Sequence, residues 1–124
     1  GISVYPDSYG INVSGSVNTV GGGAGGGIAW YKISENLVTS DVKVDTGYLV
    51  DTSGGSVNVP LPDNPREGDE VAFADDWDFS QNNLTISQNN NGHTIQGANE
   101  NMTVSTKGAA PRLVYNGEGD WRLV

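Results

Sequence analysis

The densest group of reactive side chains is Asp75-Asp76-Trp77-Asp78, where three carboxylates on one polar stretch have the hard oxygen donors that Ca²⁺ takes. The stretch lacks the regular ligand spacing and central glycine of an EF-hand loop, so it reads as a solvated acidic loop, with Trp77 held for the core or an interface. His93 is the single histidine and there is no cysteine, so neither a zinc triad nor a Ser-His-Asp relay can be assembled within one chain. The 15 acidic residues would permit a glycosidase pair by type, but no spacing marks two that face each other across a cleft. The glycine tract Gly21–Gly27 is not followed by Lys-Ser or Lys-Thr and has no strand-to-helix setting, which removes the phosphate-loop reading. The sequence therefore assigns no catalytic, cofactor-binding or metal-ligating residue, and the chain reads as a non-enzyme.

Aromatic side chains are the remaining candidates. Trp30, Tyr31, Trp77 and Tyr9, if exposed, offer flat apolar area with a polar edge, suited to stacking on sugar rings or on a protein partner; the alternative is burial in the core or an interface. Asn12, Asn83 and Asn101 each open an N-x-Ser/Thr sequon, which matters only in a eukaryotic secretory pathway.

The elements that must position these residues follow from composition and period. At 124 residues the chain is one domain in size, and 18 glycines with three tryptophans and five tyrosines suit short strands and many turns better than helices. The net charge of -9 repels phosphate backbones and anionic membranes, and the six cations are scattered, so nucleic-acid binding is not expected. Arg112 and Arg122 fall on strand-like segments and are placed to pair with carboxylates across a sheet or a subunit contact. No apolar run of 18 residues is present, so no membrane insertion is expected, and stability must come from packing or assembly because disulfides are excluded.

Residues 1–20 alternate apolar and small polar side chains around Ile11, Val13 and Val17, too short and glycine-broken to fold alone; they read as an extended docking arm. Residues 21–27 form a Gly-rich linker, or alternatively a close-packed backbone around an oligomer axis. Residues 28–124 form a β-rich domain. In Ile28–Val44 the first part is expected to make a short helical turn and the end a strand. Period-2 runs then predict strands around Tyr48–Val50, Val57–Leu61, Val71–Phe73, Leu84–Ile86, Thr94–Gln96, Met102–Val104, Leu113–Tyr115 and Trp121–Leu123, with Pro60 marking an edge strand. The turn Asn89-Asn90-Asn91-Gly92 predicts an antiparallel hairpin pairing Thr94–Gln96 with Thr85–Ser87. The whole predicts an all-β fold: an antiparallel β-sandwich or a small β-barrel or roll, with an extended N-terminal arm.

Tyr48 before a Thr-Ser-Gly-Gly turn, the strand ending in Leu61-Pro62, Gly68-Asp69 leading into Val71 and Phe73, Asn83-Leu84-Thr85, Thr94-Ile95, and Tyr115-Asn116-Gly117 before Trp121 form an ordered set. Over residues 48–124 this resembles a β-module of tailed-bacteriophage virion structural proteins, of tail-fibre, baseplate, or head-fibre and capsid-decoration type. The resemblance implies architecture and a virion setting, with a homotrimer as the expected assembly and other virion proteins as partners of the arm. The expected function is that of a structural component, with host attachment as a further role. A carbohydrate-binding module recognising host surface glycans is the alternative.

Overall fold

The protein is described by a computed structural model covering residues 28–89 and 91–124. The expected arm and the linker, including Tyr9, lie outside the described residues. The elements are β1 (Ala29–Ile33), a 3-10 turn (Thr39–Asp41), β2 (Thr46–Val50), β3 (Val57–Pro60), β4 (Glu70–Asp75), β5 (Leu84–Ser87), β6 (Thr94–Ile95), β7 (Met102–Val104), β8 (Arg112–Tyr115) and β9 (Asp120–Leu123). Strand-rich and almost free of helix, the fold is all-β, and no helix among the described residues is long and apolar enough to cross a membrane.

Alternation of side chains decides what each strand buries. Val57 and Val59 on β3, Leu84 and Ile86 on β5, Val71 and Phe73 on β4, and Leu113 and Tyr115 on β8 turn inward and are buried, with Asn58, Thr85, Ala72 and the half-buried Val114 between them. These side chains join Val42, Tyr48, Val50, Leu61, Phe79, Ile95 and Trp121 in one core cluster drawn from two sheets. The larger sheet has the order β1-β2-β4-β8-β9-β6 and the smaller the order β3-β5-β7.

The pairing differs from the antiparallel expectation: both sheets are mixed. β1 runs parallel to β2, β2 to β4, β3 to β5 and β6 to β9, whereas β4–β8, β8–β9 and β5–β7 are antiparallel. Parallel neighbours need a long crossover, which in most proteins is a helix. Here the crossovers between β2 and β4 and between β3 and β5 are each a strand of the other sheet. The chain runs from β2 to β3 and on to β4 and β5, and each return to a sheet lies parallel beside the previous visit, Thr46 next to Val71 and Val57 next to Leu84. The winding begins earlier, because the Leu37 N–H donates to the Asn58 carbonyl (3.1 Å) and the Asn58 N–H to Asn36 Oδ1 (2.7 Å), setting residues 36–37 beside β3.

Two local expectations are corrected. The turn after Asn89 is present, with Asn89 and Gly92 both at positive φ (71° and 91°), but it carries the chain between sheets: β6 pairs in parallel with β9, and β5 has β3 and β7 as neighbours. In Ile28–Val44 the strand comes first, as β1, the helical turn is at Thr39–Asp41, and Val42 is buried without belonging to a strand. Pro60 does lie on an edge strand, since β3 ends the smaller sheet.

Candidate functional site

The strand β1 is where the large sheet meets solvent. It is an edge strand with a single partner, β2, among the described residues, and its pattern is four exposed residues followed by a half-buried Ile33. Register explains the fate of its two aromatics. Tyr31 stands in the row of Tyr48 and Phe73, whose rings stack at 5.9 Å in the core; with no strand beyond it among the described residues, Tyr31 is 58% exposed. Trp30 points to the opposite face, level with Gly47.

Trp30 is seated on Gly47. A Cβ at Gly47 would fall 2.5 Å from Cδ2 and Cε3 of the indole and 2.7 Å from Cε2, so the ring lies over the glycine backbone where a side chain would otherwise stand. The tryptophan is nevertheless 44% exposed, with apolar surface turned to solvent. Behind it, the buried Tyr48 phenol accepts the Lys43 N–H (2.9 Å); burial holds this phenol above its usual ionisation range, partly offset by that hydrogen bond.

The acidic stretch after β4 builds its own loop. Asp75 accepts the N–H groups of Trp77 (3.0 Å), Phe79 (2.9 Å) and Gly108 (2.8 Å), fastening two segments at one carboxylate. Asp78 accepts from the Ser80 hydroxyl and N–H and from Gln81 Nε2, and the side-chain donors Ser80 and Gln81 hold its carboxyl below the ordinary range. Asp76 pairs with Lys32 at 3.2 Å, tying the end of β1 to the loop. The three carboxylates thus serve different partners and do not converge. Phe79 is fully buried, whereas Trp77 is 42% exposed.

The structure therefore leaves Trp30, Tyr31 and Trp77 all exposed, against burial as the alternative, yet it does not gather them. Trp30 and Tyr31 occupy opposite faces of β1, and Trp77 sits on the loop past the end of β4. Arg112 pairs with Glu70 across β8 and β4 (2.9 Å) and Arg122 with Asp120 along β9 (3.0 Å); both arginines are half exposed, so these pairs contribute little to stability. Burial raises the Asp120 carboxyl, but hydrogen bonds from Thr94, the Gly97 N–H and Arg122 outweigh it and leave the group below its usual range.

His93 belongs to an aromatic file. Its ring packs on Tyr115 (5.1 Å between centroids), which packs on the fully buried Trp121 (5.3 Å), and its Nε2 lies 3.4 Å from the Tyr115 hydroxyl. The neighbouring amides hold loops: Gln88 Nε2 donates to the His93 carbonyl (2.9 Å) and Asn99 Oδ1 (2.6 Å), and Asn89 Nδ2 donates to the Leu61 carbonyl (3.1 Å) and Asp63 Oδ1 (2.8 Å). An open groove of about 540 Å³ lies nearby, lined by Val38, Thr39, Ser40, Val42, Lys43, Pro62 and Asp63. Sequence reasoning passed over this groove because its walls come from the turn after β1 and the loop after β3, which no local period connects.

No protein-family model matches the chain, and no curated protein sequence matches it.

Proposed function

We propose that the chain is a non-enzymatic structural component of a tailed-phage virion. In this reading the two sheets form a small sandwich wound as a coil, three copies associate, and residues 1–20 attach the module to a neighbouring virion protein. The module is then displayed on the particle as part of a tail fibre, a baseplate or a capsid decoration, open to a role in host attachment.

The observation that carries the reading is β1, an edge strand among the described residues, which presents Trp30 and Tyr31 to solvent immediately after the glycine tract. An exposed edge with large aromatics is a liability for a solitary domain and an asset for an assembling one. The resemblance over residues 48–124 supplies the virion setting. Mass spectrometry and immunogold labelling of purified particles test it: the chain should be an integral component, decorating tail or capsid, and should sediment alone at three times its 13.0 kDa mass. Its absence from purified particles would remove the virion assignment.

A second reading, recognition of host surface glycans, is favoured by one observation, the indole of Trp30 seated on Gly47 with surface left open to solvent. Host-polysaccharide binding abolished by Trp30→Ala would give the module a receptor-binding task; undiminished binding would remove Trp30 from that role.

A further inference from the structure

The chain contains two Asn-Gly steps, Asn91-Gly92 and Asn116-Gly117, and the fold holds them differently. A glycine has no Cβ to shield its backbone nitrogen, so that nitrogen can reach the side-chain amide of a preceding asparagine. Both glycines stand at positive φ, 91° and 83°, so the distinction lies in how each asparagine is fixed.

Asn116 closes the hairpin between β8 and β9. Its Oδ1 accepts the N–H groups of Glu118 (2.7 Å) and Asp120 (3.1 Å), and its own N–H donates to the Asp120 carbonyl (2.9 Å). The stem of Glu67 crowds the next residue, since a Cβ at Gly117 would fall 2.9 Å from Glu67 Cβ. Turning the Asn116 amide toward the Gly117 nitrogen breaks both bonds to Oδ1, in a turn braced by the pairing of Trp121 with Tyr115.

Asn91 is held by longer contacts. Its Nδ2 lies 3.3 Å from the Asp63 carbonyl and 3.5 Å from Asp63 Oδ1, beyond the usual limit of about 3.2 Å, while its Oδ1 accepts the His93 N–H (3.1 Å). That last contact folds the side chain forward over the Gly92 peptide and polarises the amide carbonyl at the carbon a nucleophile must reach. The turn joins β5 of the smaller sheet to β6 of the larger, so it spans two sheets where the Asn116 turn spans paired strands.

We propose that Asn91-Gly92 is a self-modification site, at which Asn91 converts without an enzyme to aspartate and isoaspartate and so unfastens its turn from Asp63. The Gly92 nitrogen bonds to Asn91 Cγ and gives its proton to solvent; the Cγ–Nδ2 bond breaks and ammonia leaves. One water then opens the cyclic imide. Addition at Cγ yields aspartate, and addition at the main-chain carbonyl carbon yields isoaspartate, whose chain runs on through Cβ and Cγ. Either product replaces the Nδ2 donor by negative charge beside the Asp63 carboxylate, and like charges there repel. Pro62 and Asp63 line the open groove together with Val38–Lys43, so the modification alters a wall of that groove.

The test holds the full 124-residue chain at mildly alkaline pH, folded and in urea, and follows the Asn91 and Asn116 peptides by mass spectrometry that separates aspartate from isoaspartate. In urea the two sites should react at similar rates. In the folded chain Asn91 should keep most of that rate, whereas Asn116 should react ~10-fold or more slowly, because it must first open locally. Equal rates at the two sites of the folded chain, or protection of Asn91 as strong as that of Asn116, would overturn the assignment. The release is tested with the product mimic Asn91→Asp, which should lower the urea midpoint in the wild-type background and leave it nearly unchanged in Asp63→Asn. The same lowering in both backgrounds would show that Asp63 is not the contact released and would sink that part of the proposal.

Discussion

Replacing Gly47 by alanine isolates what the Trp30 contact is worth. Gly47 is not among the glycines at positive φ, and in an open strand position Gly→Ala gains ~0.5–1 kcal/mol by restricting the unfolded chain. At this position the new Cβ would stand 2.5 Å from the indole, against 3.4 Å or more for an ordinary contact, so the ring must leave its seat. A tryptophan buries up to ~200 Å², and with 44% exposure about half of that is at stake, roughly 2.5 kcal/mol at 25 cal/mol/Å² as an upper bound. The net effect of Gly47→Ala is therefore a loss of ~1–2 kcal/mol. In a Trp30→Ala background the clash vanishes and the same substitution should stabilise by ~0.5–1 kcal/mol, a coupling of about 2 kcal/mol. Urea denaturation followed by far-UV circular dichroism at one fixed protein concentration reads all four corners of the cycle. An equal cost of Gly47→Ala in both backgrounds would refute the seating of the indole on the sheet.

Two further outcomes follow from the acidic groups. Asp75→Ala should cost ~2–4 kcal/mol, because three backbone N–H groups lose a charged acceptor at once, and exchange of the Trp77, Phe79 and Gly108 amides should accelerate together; independent behaviour of Gly108 would show that the carboxylate does not join the two segments. Asp51, Asp78 and Asp120 ionise below the ordinary 3.8 in the folded chain, so their contribution is present above that pH and is lost as pH falls through their folded values. Melting temperature should thus decline below about pH 4, and Asp78→Asn with Asp120→Asn should flatten that limb. Tyr48 works at the other end: its raised ionisation leaves stability intact up to pH 10.0 and erodes it above, an alkaline limb that Tyr48→Phe should weaken.

Much of the strand content was legible because alternation reports burial directly. Val57-Asn58-Val59 and Leu84-Thr85-Ile86 have one apolar phase, and both became half-buried strands at the expected positions. Direction was not legible, because period 2 is the same for a strand whichever way its neighbour runs. The Asn-Gly turn at Asn89–Gly92 was read as closing a hairpin because such turns reverse the chain locally, yet a reversal does not choose the next partner. That choice fell to Ile95, which enters the core beside Trp121 by lying along β9, while the edge of β5 was already taken by Met102–Val104.

The exposed aromatics were harder to read for a related reason. Trp30 and Tyr31 are adjacent, so on any strand they face opposite ways, and no window of sequence states which strand ends a sheet. Tyr31 repeats the inward row that Tyr48 and Phe73 occupy, and it would be core if one more strand followed. Its exposure is a property of sheet order and not of the residue. Gly47 was the local signal that could have been used: a glycine between Thr46 and Tyr48, in a strand with no bulge or turn, requires something that takes the place of its side chain. The structure supplies Trp30 for that place, from the neighbouring strand. The same reasoning applied outward follows the row Phe73–Tyr48–Tyr31 to β1, where, among the described residues, it ends at a solvent-facing ring.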